Sequence, residues 1–312
     1  MRHYWINSCR QADKRLVGER KCLDMTQEAN FADVNGAQLY YQVSGEGDPL
    51  LLLHAGVADN RMWDDQVGAF SQRYMVIRFD MRGFGQSAVP PGPISSHEDV
   101  VGLLSFLHVK KAYVVGQSYG GHVAIDFALA YPEMVAALIL GAPNVSGYEF
   151  SEETRRFGAE EDELLSRGDI AGATELNLRM WVDGPYRTPD QVDASVRERV
   201  REMQFHAFTM PVPEDADWQP LAPRAIKRLG EIQVPTLIIV GDQDVSEFLK
   251  LADLVAEGIA KAEKVVIPGA AHLPNMEKPE EFNRIVLDFL SCLGPCSNTG
   301  QDRSPCERCC QE

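Results

Sequence analysis

The 312-residue chain is 45% hydrophobic and 24% charged, enough apolar material for one sizeable core without disulfide or metal staples. Lys and Arg number 30 against 46 Asp and Glu, a formal net charge of −16. Nucleic-acid grooves and anionic-membrane surfaces both rely on clustered cations, so this balance argues against either and leaves small molecules as the expected partners.

Residues 1–30 contain charges throughout and no signal-like apolar run, so they read as a flexible extension of a soluble, cytoplasmic chain. FADVNGAQLYYQVSG at 31–45 predicts a hairpin, with Asn35-Gly36 supplying the positive-φ turn. Six short apolar runs follow: PLLLLH at 49–54, YMVIRFD at 74–80, AYVVG at 112–116, VAALILGA at 135–142, PTLIIVG at 235–241 and KVVIPG at 264–269. They are much shorter than the roughly 18 residues of a membrane-spanning helix and read as strands buried on both faces.

Helical patterns lie between and after these runs, at 97–109, at 120–134 and at 280–293, the second ended by Pro132. The alternation predicts an α/β domain with a mostly parallel sheet, and the hairpin predicts an antiparallel edge on it. From Asn144 to about Pro223 the alternation stops and the composition is acidic and helical. Ordinary connections run to roughly two to six residues, so this stretch reads as a helical insertion capping the sheet. Its Phe157, Met180, Trp181, Met203, Phe205, Phe208, Met210 and Trp218 either pack the cap internally or line a cavity beneath it.

All seven cysteines lie near the ends, at 9 and 22 and at 292, 296, 306, 309 and 310, so the central domain does not depend on disulfides. The spacing of the last four fits no familiar closed zinc site, and residues 291–312 are expected to be a disordered, cysteine-rich tail. The two ends together carry +1, so the segment between them carries −17.

The chemistry begins at G-Q-S-Y-G-G, residues 116–121, between a predicted strand and a predicted helix. A serine held in so sharp a turn needs glycine neighbours because the elbow leaves no room for side chains. A hydroxyl is almost never ionised near neutral pH, so Ser118 needs a base and the base an orienting acid. Two later strand ends offer them: Asp242 and Asp244 in VGDQD, and His272 in IPGAAHLPN.

Five segments in order carry a family resemblance: H-A-G at 54–56 followed by Trp63, D-M-R-G-F-G-Q-S at 80–87, G-Q-S-Y-G-G, G-D-Q-D at 241–244, and G-A-A-H-L-P-N-M-E-K-P-E at 269–280. Over about residues 31–290 the chain resembles the capped α/β-hydrolase superfamily, in its serine-nucleophile branch. The resemblance implies a hydrolase core at 31–143 and 224–290 with the helical cap at 144–223. It makes Ser118 the nucleophile, His272 the general base and acid, and Asp244 the orienting carboxylate, with Asp242 the alternative. The oxyanion donors are expected to be the backbone N–H of Tyr119 and that of Gly56, with Val57 the alternative because this chain has His-Ala-Gly where many relatives have His-Gly.

His54 and His122 are expected to be structural, and Asp80 and Arg82 to organise loops beside the site. Trp63, Trp181 and His206 are the pocket candidates, Trp63 doubling as a brace for the oxyanion loop and His206 as ordinary cap surface. Neither a metal nor a cofactor is called for: H-E-x-x-H, G-x-x-x-x-G-K-[ST] and G-x-G-x-x-G are all missing. A serine in place of the elbow carboxylate of dehalogenases and epoxide hydrolases favours acyl transfer to water. The leading expectation is a small or medium carboxylic ester or lactone, since the 269–280 segment resembles that of enol-lactone hydrolases. Carbon–carbon cleavage of a vinylogous diketone, cofactor-free haloperoxidase or perhydrolase activity, and a non-catalytic ligand receptor are the alternatives; the oligomeric state is left open.

Overall fold

In a computed structural model, which describes residues 28–296, the hairpin turns where Asn35 (φ 49°) and Gly36 (φ 79°) enter left-handed backbone. It joins β1 (Glu28–Val34) to β2 (Ala37–Ser44). The six apolar runs become β3 (Asp48–Leu53), β4 (Tyr74–Phe79), β6 (Ala112–Gln117), β7 (Val135–Gly141), β9 (Thr236–Gly241) and β10 (Ala262–Ile267). These eight strands form one sheet in the order β1-β2-β4-β3-β6-β7-β9-β10. The β1/β2 and β2/β4 pairs are antiparallel and the rest parallel, as the hairpin implied.

Both faces of the sheet are covered, which is why its strands read as continuous apolar runs. Successive side chains alternate across the sheet: Leu51, Leu53, Leu138, Leu140, Ile238 and Val240 join one core cluster, while Leu50, Leu52, Ala137, Ile139, Leu237 and Ile239 join the other. The first face is covered by α2 (Ser96–Phe106), α3 (Tyr119–Ala130) and α7 (Ser246–Gly258); the second by α1 (Asp64–Phe70) and α9 (Pro279–Ser291), which follows the short α8 (Pro274–Glu277). Helix α3 stops before Tyr131, the residue that Pro132 forces out of helical backbone.

Between β7 and β9 lie α4 (Glu152–Ser166), α5 (Ile170–Asn177) and α6 (Ala194–Thr209), with a π-helical stretch at Leu178–Asp183. The insertion ends in β8 (Ala216–Trp218), which pairs in parallel with β5 (Gly92–Ile94) as a separate two-stranded sheet. Of its large side chains, Met203 is buried and Phe157 packs edge-on to Trp181, whereas Phe205 and Trp218 are exposed.

Two boundaries differ from the sequence reading. Strand β1 starts at Glu28, inside the stretch assigned to the extension, because a backbone ladder from Glu28↔Val43 onward needs no apolar signal. At the other end Leu293 and Cys296 pack against the second core cluster, and Tyr113 donates its hydroxyl proton to the Gly294 carbonyl at 2.5 Å. Burial pushes the Cys296 thiol up to about 11. The rest of the extension, to residue 27, and the tail from 297, with Cys306, Cys309 and Cys310, lie outside the described residues. No helix among the described residues is long and apolar enough to cross a membrane.

Candidate active site

Strand β6 delivers the chain to Ser118, whose φ of 53° and ψ of −110° lie in a region that L residues rarely adopt. Neighbouring backbone forces this path and holds it. The Ser118 N–H donates to the Gly141 carbonyl at 2.7 Å, and the Ser118 carbonyl accepts from the N–H groups of His122 and Asn144, both at 3.1 Å. A Cβ on Gly116 would collide with the Gly120 carbonyl, and one on Gly120 with the Leu53 carbonyl. The two glycines therefore let the elbow press directly on β3.

His272 Nε2 lies 2.7 Å from Ser118 Oγ, and His272 Nδ1 lies 2.9 Å from Asp244 Oδ2. A carboxylate offers only lone pairs, so Nδ1 carries the proton and Nε2 is left to accept from the serine hydroxyl. Asp244 is fully buried, and its other oxygen accepts from the Val245 N–H at 2.7 Å. Asp242 is exposed and turned away, its Oδ1 capping the Gly269 N–H at 2.7 Å. Three residues from three distant strand ends thus form one hydrogen-bonded chain, and of the two aspartates it is Asp244 that faces the imidazole.

Beside the serine, Ala58 N–H closes a turn on the Ala55 carbonyl at 3.2 Å, leaving Gly56 and Val57 as its central residues. Neither of their N–H groups, nor that of Tyr119 at the start of α3, has an acceptor among the described residues. The Gly56 position faces Tyr119: a Cβ added at Gly56 would lie 3.5 Å from the Tyr119 Cβ. His54 braces this turn. Its Nε2 accepts from the Met81 N–H at 2.9 Å, so Nδ1 is the protonated nitrogen and donates to the Ala55 carbonyl at 2.8 Å. Burial holds this imidazole below its ordinary pKa, in keeping with a neutral structural role.

Asp80 and Arg82 do not pair with each other. Asp80 accepts from Asn60 through its N–H (2.8 Å) and its side-chain amide (2.6 Å), and from the Gln86 N–H (2.8 Å). Arg82 instead makes a buried two-pronged pair with Asp99 at 2.7 and 2.6 Å. Burial raises both carboxyl pKa values against the pull of their donors. His122 bonds through Nε2 to the Asp126 carboxylate at 3.1 Å within α3, again a packing role.

The three pocket candidates separate. Trp181, in the π-helical stretch, lays its ring on the His272 imidazole, centroids 4.7 Å apart, and is steadied by Nε1–H donation to Asn177 Oδ1 at 3.0 Å. Trp63 has no exposed surface; its ring packs on Phe282 within the second core cluster, so it forms no wall of a pocket. His206 is not at the triad either: it is exposed and bonds to the Gly85 carbonyl at 2.8 Å. There it lines a polar cleft of about 570 Å³ with Arg78, Asp80 and Glu202, whose lining includes none of Ser118, Trp181 and His272.

Four residues at the site had no sequence assignment. Phe248 in α7 places its ring 4.5 Å from that of His272. Gln117 donates to the His272 carbonyl at 2.5 Å, and Glu277 accepts the Ala271 N–H at 2.8 Å while pairing with Arg187. Gln117 and Glu277 stand inside quoted motifs and could have been suspected; Phe248 shows only helical periodicity, and Arg187 carries no local signal.

The same architecture recurs in known proteins. Residues 48–279 match the family model described as alpha/beta hydrolase fold. The chain belongs to that family. A putative carbamate hydrolase RutD of Azorhizobium caulinodans is 30% identical, covering 83% of this chain and 97% of that one. The 2-hydroxy-6-oxo-6-phenylhexa-2,4-dienoate hydrolase of Comamonas testosteroni is 27% identical over 83% and 93% of the two chains. Among solved structures, the enol-lactonase from Burkholderia xenovorans LB400 superposes with a TM-score of 0.70 at 26% identity, over 84% of this chain and 99% of that one. The protein is thus an α/β-hydrolase-family enzyme, and its relatives include proteins named as a putative carbamate hydrolase, a dienoate hydrolase and an enol-lactonase.

Proposed function

We propose that the protein is a serine hydrolase that cleaves a small or medium, uncharged carboxylic ester or lactone through an acyl-serine intermediate. The observation that carries this reading is the continuous Ser118–His272–Asp244 hydrogen-bond chain, with its serine on a strained elbow. Ser118 Oγ attacks the acyl carbon as its proton passes to His272 Nε2, and Asp244 stabilises the imidazolium that forms. The N–H groups of Tyr119 and Gly56 receive the oxyanion, Val57 being the alternative to Gly56. Collapse breaks the acyl–oxygen bond, and His272 returns the proton to the leaving alkoxide. Water then attacks the acyl-serine as His272 takes its proton, and collapse breaks the bond to Ser118 Oγ, which takes that proton back from His272 as the acid departs.

Trp181 and Phe248 against His272 favour apolar, uncharged groups beside the scissile bond. Cleavage of a vinylogous diketone is the second reading, supported by the similarity to the Comamonas dienoate hydrolase; the same acyl transfer would also serve a carbamate, as the similarity to RutD suggests. The test is covalent labelling by a fluorophosphonate followed by product-resolved turnover of simple esters, lactones, a carbamate and a vinylogous diketone. Ser118→Ala should abolish labelling and lower turnover by about four orders of magnitude or more. Folded wild-type protein that neither labels nor turns over any member of the panel would overturn the proposal.

A further inference from the structure

The insertion meets the catalytic histidine at one buried joint. Arg187 follows the π-helical stretch that carries Trp181, and its guanidinium gathers four acceptors. Nε donates to the Asp183 carbonyl at 2.8 Å and Nη2 to the Val182 carbonyl at 2.7 Å, both on the insertion's own turn. Nη1 reaches across to the core, to the Gly269 carbonyl at 3.0 Å and to Glu277 Oε2 at 2.6 Å. The second oxygen of Glu277 accepts the N–H of Ala271, the residue before His272. Exposure is only 12% for the Arg187 side chain and 5% for Glu277.

A second, independent contact lies at the same joint. Gly184 sits at φ 73°, and a Cβ added there would lie 2.5 Å from the Gln243 carbonyl oxygen and 3.1 Å from the Ala271 Cβ. The insertion's turn is therefore pressed against the neighbours of both Asp244 and His272. From the other side, the Asp183 carboxylate is held by Arg197 of α6 at 2.9 Å, which ties the turn to the body of the insertion. Trp181, three residues before Gly184, rests on the imidazole itself.

We infer that Arg187 and Glu277 are positioning residues: their buried pair registers the Trp181-bearing turn of the insertion on the loop that carries His272, so that alignment of the imidazole to Ser118 depends on how the insertion is seated. Neither touches Ser118. Arg187 supplies a rigid planar fork that no other side chain reproduces at four acceptors, and Glu277 converts the position of that fork into the position of the Ala271 peptide. The inference rests on the proposed serine mechanism for its kinetic consequence but on geometry alone for its structural one.

The experiment uses the full chain with Arg187→Met, Arg187→Lys, Glu277→Gln and the charge-neutral double variant Arg187→Met/Glu277→Gln. Three quantities are read: kcat and KM on a p-nitrophenyl ester, the fluorophosphonate labelling rate, and carbethoxylation of His272 by diethyl pyrocarbonate located by peptide mass spectrometry. Arg187→Met should lower kcat and the labelling rate in parallel by about tenfold or more, with KM changed by less than about threefold, and should expose His272 to carbethoxylation. Arg187→Lys should recover part of the loss, and the double variant should be no worse than the poorer single, because no charge is left unpaired. If Arg187→Met does not fold, the lysine and double variants decide the matter by the same readouts. Wild-type kcat and wild-type His272 protection in folded variants would overturn the inference. Failure of the wild-type protein to label would instead defeat the serine mechanism, and the carbethoxylation rates would still decide whether the joint holds His272.

Discussion

The sheet core and the helical insertion both reach His272, but they hold their contributions in different ways. The core places Ser118, Asp244 and His272 at the ends of β6, β9 and β10, where ladder hydrogen bonds and buried apolar faces fix the backbone. The insertion has no share in the central sheet; the short β5/β8 ladder ties its end to the core, and around His272 it is fastened by side chains. Arg187 bonds to Glu277, Arg199 to Asp65 at 2.7 Å, His206 to the Gly85 carbonyl, and the Asp59 N–H approaches Met203 Sδ at 3.5 Å. A backbone-fixed group tolerates changes around it, whereas a group set by side-chain contacts moves when one of them is lost. In the proposed mechanism, chemical competence falls to the core, and substrate preference and fine alignment to the insertion.

Substitutions can break that division in descending order of effect. Within the core, Asp244→Asn should reduce kcat by about three to four orders of magnitude, because an amide no longer enforces the Nδ1–H tautomer. Asp242→Asn should stay within about twofold of the parent, since an amide oxygen can still cap the Gly269 N–H. Steady-state ester hydrolysis by the pair would reverse the division if Asp242→Asn were the damaging change.

In the insertion, Trp181→Ala removes a ring from His272 and opens space beside the scissile bond. It should lower kcat/KM by about tenfold for esters with a bulky apolar acyl group and by much less for acetate. A loss independent of acyl size, measured across a chain-length series, would mean that Trp181 supports the histidine and does not select substrate. The smallest effect is expected at the rim. His206→Ala deletes one exposed hydrogen bond away from Ser118 and should change kcat/KM by less than about twofold and stability by about 1 kcal/mol or less. A large kinetic effect there would show that the polar cleft beside Arg78 communicates with the site.

The same contrast governs how much could be read before the structure. All six apolar runs became strands of the central sheet, since a strand buried on both faces leaves an unbroken apolar signature. The elbow was equally legible, because steric exclusion at Gly116 and Gly120 dictates residue type locally. Trp63 was not: an aromatic beside a loop looks alike in sequence whether it walls a pocket or packs on Phe282. Asp80 and Arg82 were read as loop organisers, but their partners, Asn60 and Gln86 for Asp80 and Asp99 for Arg82, carry no local sequence signal. Phe248 and Arg187 gave no signal, because helical periodicity and a lone cation say nothing about which distant loop they will meet.

The sequence by itself determined the order of the strands along the chain, the glycine-flanked serine, and the later aspartate and histidine at strand ends. Those features follow from local rules of burial, backbone freedom and turn chemistry that any folded version of the chain must satisfy. Only the tertiary structure decided that Asp244 and not Asp242 faces the imidazole, that Trp181 and Phe248 close around it, and that Arg187 joins the insertion to its loop. Each of these depends on contacts between segments far apart in the chain, where direction and distance are set by the packing of the whole molecule.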